Sequence, residues 1–325
     1  MNQNNFPEGD RIYDLYTEVY KPQLIRIALA LDVFSPLNAM PANVETIARA
    51  CNCEMVGIRH LLDYLTSLNI LAKQGDEYSL SSEAATFLVH GKKAYAGDLI
   101  MDFVGSIPWE TIQESIRSGQ SQNIDLEIHF VQDAWIESYR AGRITSSLEM
   151  WTKAGIMPES FIQLRLLDLA CGCAIKSMVL VQKSSNVKLT CLDSPKVLEV
   201  ARDLAKRYGI LSQVRFMPDN LLTADLGESK YNGCLLGQIT HYLTQQQNKD
   251  LYKRIYRALI PGGMLVLDVP MATTQLNEDS TFLSLLLWAN SGGRVYSFEE
   301  YQSWLLASGF VAIRQLSERL LSAVR

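Results

Sequence analysis

The sequence predicts an α/β fold: a mostly parallel sheet that turns its strand ends toward a ligand, preceded by a smaller helical segment. Three observations carry this reading. The apolar run Leu164, Leu166 and Leu167 ends on Asp168, passes through a loop of small residues and enters a helical pattern at Ile175, Met178, Val179 and Val181. Two further short apolar runs follow, each leading to an acid. The first hundred residues show instead two helical patterns joined by a turn, then a hairpin signal.

A strand that turns tightly into a helix holds a ligand at the helix N-terminus, where unpaired backbone N–H groups face it. Of the three loop positions that favour glycine in a nucleotide-type loop, only Gly172 is one, and Ala170 and Ala174 fill the others. Alanine suits a glycine position where φ is negative, and its methyl costs little unless the ligand packs there. The loop therefore reads as a reshaped cofactor loop. Val187-Lys-Leu-Thr-Cys-Leu192 is the second strand and leads to Asp193, 25 residues after Asp168, where an acid is placed for ribose hydroxyls. A third strand over 213–217 is followed by Pro218 and Asp219, a fourth spans 231–237, and Leu265-Val-Leu-Asp268 is a fifth after the turn Pro261-Gly262-Gly263. Residues 297–308 read as a capped helix stopped by Gly309. Toward the N-terminus, Leu24, Ile27, Ala28, Leu31 and Phe34 share helical spacing. Residues 44–50 and 55–68, separated by Cys51-Asn-Cys53, make a helix-turn-helix, and residues 71–80 make a small wing that turns at 74–77. The stretch 81–163 reads as mostly helical, with one helix from about 131 to 153.

The segment Asp168 to Ala174 resembles motif I of the class I S-adenosylmethionine (SAM) dependent methyltransferases. Leu192-Asp-Ser-Pro-Lys-Val197, Pro218-Asp-Asn-Leu-Leu222, Thr240-His-Tyr-Leu243 and Leu259-Ile-Pro-Gly-Gly-Met-Leu-Val266 follow in the order found in the dimeric small-molecule O-methyltransferases. The similarity runs from about Arg11 to the C-terminus. It implies a Rossmann-like, mostly parallel seven-stranded sheet, preceded by an α-helical winged-helix dimerisation domain. The implied domains are 1–95 for dimerisation and 96–325 for a helical connector and SAM binding, with the sheet core starting at about residue 163. It also implies a homodimer that moves the methyl of SAM to a hydroxyl of a small, largely apolar metabolite of specialised biosynthesis.

By the same resemblance the cofactor rests on Asp168, Ala170 and Gly172, on Asp193 and Ser194, on Asp219 and Asn220, and on Gln238, with Arg143 near its methionine carboxylate. The acceptor lies against Phe103, Trp135, Tyr139, Met150 and Trp288. Four histidines occur, and among His60, His90, His129 and His241 it is His241 that follows a strand of the sheet. Methyl transfer from a sulfonium needs an in-line approach and, for a hydroxyl acceptor, removal of its proton, which an imidazole near pKa 6.5 can take at neutral pH. The family pattern makes His241 the general base and orients it with Asp268, in place of the more usual glutamate. A second acid normally precedes an arginine after the next helix, but Gly293 stands there, before Arg294. Gly237 stands where plant members place a lysine beside the cofactor.

Composition narrows the alternatives. A chain of 325 residues, 48% hydrophobic, is long enough for two cores. The net charge of −5 argues against a protein that mainly holds nucleic acid. Residues 1–100 carry 8 Lys/Arg against 12 Asp/Glu, and the second motif helix sets Glu54 and Asp63 beside Arg59 and His60, so no phosphate-binding face emerges. The two Cys-x-Cys pairs lack zinc spacing and a histidine pair, which points to reduced thiols and no metal. The first ten residues lack the basic and apolar regions of a signal peptide, and the apolar stretches 25–34 and 282–289 fall short of the ~20 residues that span a bilayer. A cytoplasmic enzyme is the expectation. Two other classes stay open: a SAM-binding relative that performs C-methylation, hydroxylation or a pericyclic step, and a winged-helix regulator on DNA.

Overall fold

The computed structural model describes residues 20–98, 100–101, 109–122, 127–140, 142–273 and 278–325. Phe103 lies outside the described residues. The chain divides into two units, Met1–Ile107 and Pro108–Arg325.

In the first unit, helices α1 (Tyr20–Ala30), α2 (Val44–Ala50), α3 (Met55–Ser67) and α4 (Ser82–Phe87) accompany three short strands, β1 (Ala42–Asn43), β2 (Leu71–Gln74) and β3 (Glu77–Leu80). The strands pair antiparallel in the order β1-β3-β2. Asn43 caps α2 by accepting from the Thr46 amide at 3.0 Å. Ile58, Leu61, Leu62 and Leu65 bury one stripe of α3, packed in a core with Phe34, Ile47 and Tyr78. The helix-turn-helix and the wing are thus formed as the apolar spacing predicts.

The second unit is built on a seven-stranded sheet of β4 (Leu164–Leu169), β5 (Val187–Asp193), β6 (Val214–Pro218), β7 (Tyr231–Gly237), β8 (Leu259–Asp268), β11 (Val311–Gln315) and β12 (Leu320–Val324), in the order β11-β12-β8-β7-β4-β5-β6. The run from β8 to β6 is parallel and β12 is antiparallel to both its neighbours. A minor ribbon pairs β9 (Met271–Ala272) with β10 (Tyr296–Ser297). Side chains alternate across the sheet. Leu166, Leu235 and Val266 face a core formed with α7 (Gly142–Ala154), α8 (Ile175–Lys183) and α9 (Pro195–Arg207). Leu167, Cys234, Leu236, Leu265 and Leu267 face the other core, with α10 (Gln245–Ala258) and α12 (Phe298–Ala307). Helices α5 (Trp109–Ser118), α6 (Glu127–Glu137) and α11 (Glu278–Ser291) are the other α-helices among the described residues of the unit.

β4 has β5 on one side and β7 on the other, so the strand order reverses at β4. Ligands of open α/β sheets bind beyond the strand ends at such a point. The register brings the ends together: Asp168 stands opposite Cys191 and Leu235, Asp193 opposite Pro218, and Gly237 opposite Asp268. Among the described residues no helix is long and apolar enough to cross a membrane.

Candidate active site

A cavity of about 990 Å³ opens over this edge. At one end the loop after β4 alternates left-handed residues, Ala170 at φ 50°, Gly172 at 56° and Ala174 at 58°. Here the sequence expectation is corrected: both alanines hold positive φ, a conformation that costs an L-residue about 1–2 kcal/mol. Gly172 needs its φ too, and a Cβ built there meets no atom within 4 Å, so the loop leaves open space above it. The Gly172 amide donates to Asp193 Oδ2 at 2.9 Å and the Ser194 amide to Oδ1 at 2.8 Å. Burial raises the Asp193 carboxyl above its usual range even though both amides favour its charge. Each of its oxygens keeps a lone pair for a further donor. The Asp219 amide donates to the Asp193 carbonyl, while exposed Asp219 accepts from the Asn220 amide at 2.7 Å. Beneath the loop, Asp168 is 2% exposed, accepts from Ser177 Oγ at 2.6 Å, and is pushed up by burial to about 7.

The other end centres on His241, 4% exposed in a 3₁₀ turn over Thr240–Tyr242. The turn is pinned by Asn248 Nδ2 donating to the Thr240 carbonyl at 2.9 Å and by a Thr240–Tyr301 hydroxyl contact at 2.9 Å. Tyr242 lies beside the imidazole with centroids 4.8 Å apart, and Phe130 meets Tyr242 edge-on. The ring's Nδ1 is buried with no hydrogen-bond partner. Burial first, then the charges of Arg319 and Lys176, push its pKa down to about 4, against the opposing charge of Asp268.

Asp268 does not hold the histidine. Its Oδ2 is 2.6 Å from Lys176 Nζ, because an ammonium is a stronger partner for a carboxylate than a neutral imidazole is. No side chain fits at position 293 either: a Cβ there would lie 2.2 Å from the His241 carbonyl oxygen and 2.6 Å from the Tyr242 carbonyl carbon. Arg294 turns away to Glu300, at 2.6 and 3.1 Å. Gln238, at φ 61°, spends its side chain on the Asp268 carbonyl (2.9 Å) and on Arg319 (3.0 Å).

The sequence expectation of one helix from 131 to 153 is also corrected. α6 ends at Glu137, short i+3 turns follow, and α7 begins at Gly142. The break lets Glu137 take both Arg140 and Arg143, the latter in a two-point contact. Burial works against the Glu137 charge, but these hydrogen bonds outweigh it and hold its carboxyl below the usual range. Arg143 lines the cavity with its guanidinium already committed to Glu137. Tyr139 is turned out under the Arg207 guanidinium, 4.5 Å from it, and Trp135 packs against the core of the α7–α9 face. Neither they nor half-buried Trp288 lie in the cavity lining, whereas Met150 does. The lining brings together His241, Asp268, Asp168, Ala170, Gly172, Asp193, Ser194, Asp219, Asn220 and Gln238. It adds Lys176, Arg319, Asp133 and Tyr242, which sequence reasoning did not single out.

Comparison with known proteins bears on the whole chain. Residues 13–90 match the O-methyltransferase dimerisation domain and residues 166–263 a methyltransferase domain. The tetracenomycin polyketide synthesis 8-O-methyl transferase TcmO of Streptomyces glaucescens is 27% identical over 94% of this chain and 92% of its own length. The 3-hydroxy-5-methyl-1-naphthoate 3-O-methyltransferase of Streptomyces sahachiroi is 23% identical over 93% and 89%. The fold is shared with the solved structure of PigF with SAH, at TM-score 0.77 and 18% identity over 98% of this chain and 99% of that one. Two domain matches in sequence, relatives aligned over almost their full length and a common fold agree that the chain belongs to the class I SAM-dependent O-methyltransferases with an N-terminal dimerisation domain.

Proposed function

We propose that this enzyme transfers the methyl of SAM to an acidic hydroxyl, phenolic or enolic, of a small and largely apolar metabolite of specialised biosynthesis, with His241 as the base that receives the hydroxyl proton. The observation that carries this is one cavity whose lining joins Asp193, held by two amides at the loop, to His241 after β7. SAM supplies an electrophilic methyl on a sulfonium. Asp193 is suited to ribose hydroxyls, and the open space over Gly172 admits a close approach to the loop backbone. Asp219 and Asn220 stand at the adjacent strand end, suited to the adenine of SAM. At the far end His241 is neutral at working pH, and a ring whose pKa is about 4 removes a proton efficiently only from a hydroxyl that gives it up readily. Both compared relatives are O-methyltransferases by name, one of them of a hydroxynaphthoate.

The test is transfer of labelled methyl from SAM to a panel of hydroxynaphthoates, simple phenols and aliphatic alcohols. Label is expected on oxygen and on the acidic members first. Label on carbon or nitrogen, or none on any hydroxyl, overturns the assignment.

We also propose a homodimer through the first unit. α1 and α3 leave an apolar groove lined by Leu24, Ile27, Leu31, Leu61 and Tyr64, and Ile27, Met55 and Val56 are exposed at 47%, 48% and 71%. Such a face favours burial against a second copy. Light scattering should report a dimer at micromolar concentration, and a stable monomer contradicts it. The six cysteines are free thiols, consistent with work in the reducing cytoplasm.

A further inference from the structure

Lys176 is the second residue of α8, at the end of the helix where the macrodipole disfavours a cation. Its backbone is fixed, since its carbonyl accepts from Nε1 of the fully buried Trp151. Its ammonium reaches Asp268 Oδ2 at 2.6 Å through space that Gly237 leaves free, for a Cβ at 237 would lie 3.2 Å from Nζ. Both partners are only about a fifth exposed, at 20% and 21%. Asp268 closes the strand next to the one that leads into His241, in register with Gly237. Position 293 is closed to any side chain by the His241–Tyr242 backbone. Whether His241 has a carboxylate behind it therefore depends on which group holds Asp268.

We propose that Lys176 is a positioning residue of the methyl-transfer site: by claiming Asp268 it keeps the His241 imidazole without a carboxylate partner, and so restricts the enzyme to acidic hydroxyl acceptors. The inference rests on the reading of His241 as the ring that meets the acceptor. Turning Asp268 to a neutral imidazole would strand an ammonium, partly buried, at a helix N-terminus, and breaking a buried pair costs more than the pair itself contributes. Among the described residues the charged groups that act on the ring are Lys176, Arg319 and Asp268, while Asp133 on α6 acts on the adjoining Tyr242. Arg319 comes from the turn before β12 and is steadied by Gln238, and Tyr242 is the ring's titratable neighbour. With Lys176 in place it and Arg319 both act on the imidazole, and Asp268, the carboxylate that opposes them, is spoken for. Without it, Asp268 is free to accept from the ring and to stabilise its charged form.

The experiment is an NMR titration of the His241 ring in the full-length protein, assigned with His241→Gln, across Lys176→Met, Asp268→Asn and the double variant. Lys176→Met should raise the midpoint by about 1–3 pH units, the usual effect of gaining a nearby opposite charge. Asp268→Asn should erase most of that rise in the Lys176→Met background and move the midpoint far less when Lys176 is present. Equal shifts in the two backgrounds overturn the proposal, because they show charges adding through space with no claim of one on the other. Lys176→Arg, which keeps the pair, should titrate like the parent and provides the test should the methionine variant not fold; a rise there equal to loss of the charge also overturns it. In turnover, Lys176→Met should narrow the preference for phenols over aliphatic alcohols. The titration does not depend on turnover, so a clamp confirmed by NMR in an enzyme that methylates no hydroxyl separates failure of the functional assignment from failure of this one.

Discussion

The two ends of the cavity are built by different means. At the loop after β4, backbone groups do the arranging: amides of Gly172 and Ser194 fix Asp193, and the strand register sets Asp219 beside it. Around His241 the arrangement comes from side chains of distant segments, with Lys176 from α8, Asp268 from β8 and Arg319 from the turn before β12. Backbone geometry tolerates drift in side chains, whereas a constellation of side chains changes its chemistry when one partner is exchanged. The difference teaches that a cofactor can be kept while the acceptor and the handling of its proton diverge.

The sharpest break of this comparison is at His241. His241→Ala should leave SAM affinity near that of the parent, because no group that fixes the loop is lost, while turnover falls by about 10²–10⁴-fold. Raising the pH should restore part of it for a phenol, whose own ionisation near pH 10 replaces the base. Calorimetry with SAM and turnover on the same preparation measure both halves. A loss of SAM binding as large as the loss of turnover would join the two ends that the structure separates.

The ends should also respond to pH with opposite sign. An unfolded chain protonates His241 near 6.5 and the folded one only near 4. Between those values the unfolded state binds more protons, so stability falls as pH drops through the window, by about 3 kcal/mol in all at ~1.36 kcal/mol per pH unit. Asp168 goes from 3.8 up to about 7 on folding. There the folded state binds more protons, so stability falls as pH rises from 3.8 to 7. Denaturant unfolding over this range should show His241→Gln less sensitive to acid than the parent, and Asp168→Asn less sensitive to base. Parallel slopes in parent and variants would mean that neither group carries the linkage.

At the loop, Asp193→Ala should weaken SAM binding about 10- to 100-fold, the size of one or two hydrogen bonds to a charged group. Unchanged affinity in a folded variant would remove the ribose assignment. This is the part of the site that was legible in the sequence, because acids that close successive apolar runs must gather at one edge of a parallel sheet. The strands at 187–193 and 231–237, the helix-turn-helix and the wing were legible for the same reason, a clear period of burial. The partner of Asp268 was not. Lys176 lies 92 residues away, and its two local signs are a cation in the first turn of a helix and a glycine at 237, neither of which specifies a contact. Nor could helical spacing tell which face Trp135 and Tyr139 present once the helix breaks after Glu137, or that Glu137 would take Arg143. Composition likewise names the loop alanines without revealing their φ.

Those alanines allow the finest test, since they share a backbone conformation and differ in packing. Ala170, at φ 50°, is partly exposed and lines the cavity; Ala174, at φ 58°, is 1% exposed and belongs to the core under α8. Glycine at either position relieves about 1–2 kcal/mol of left-handed strain and gives back about 0.4–1 kcal/mol through a freer unfolded chain. Ala174→Gly also removes a buried methyl, a loss of roughly 0.8 kcal/mol, and gives up no cap, since the side chain of Ala174 caps nothing. Ala170→Gly should therefore stabilise by about 0.5–1 kcal/mol, a rise of roughly 1–4 °C in Tm for a unit of this size, and Ala174→Gly should be close to neutral. Both are read by thermal unfolding without SAM. Destabilisation by Ala170→Gly would show that its φ is not strained, and equal gains at both sites would show that the Ala174 methyl contributes nothing to the core it appears in.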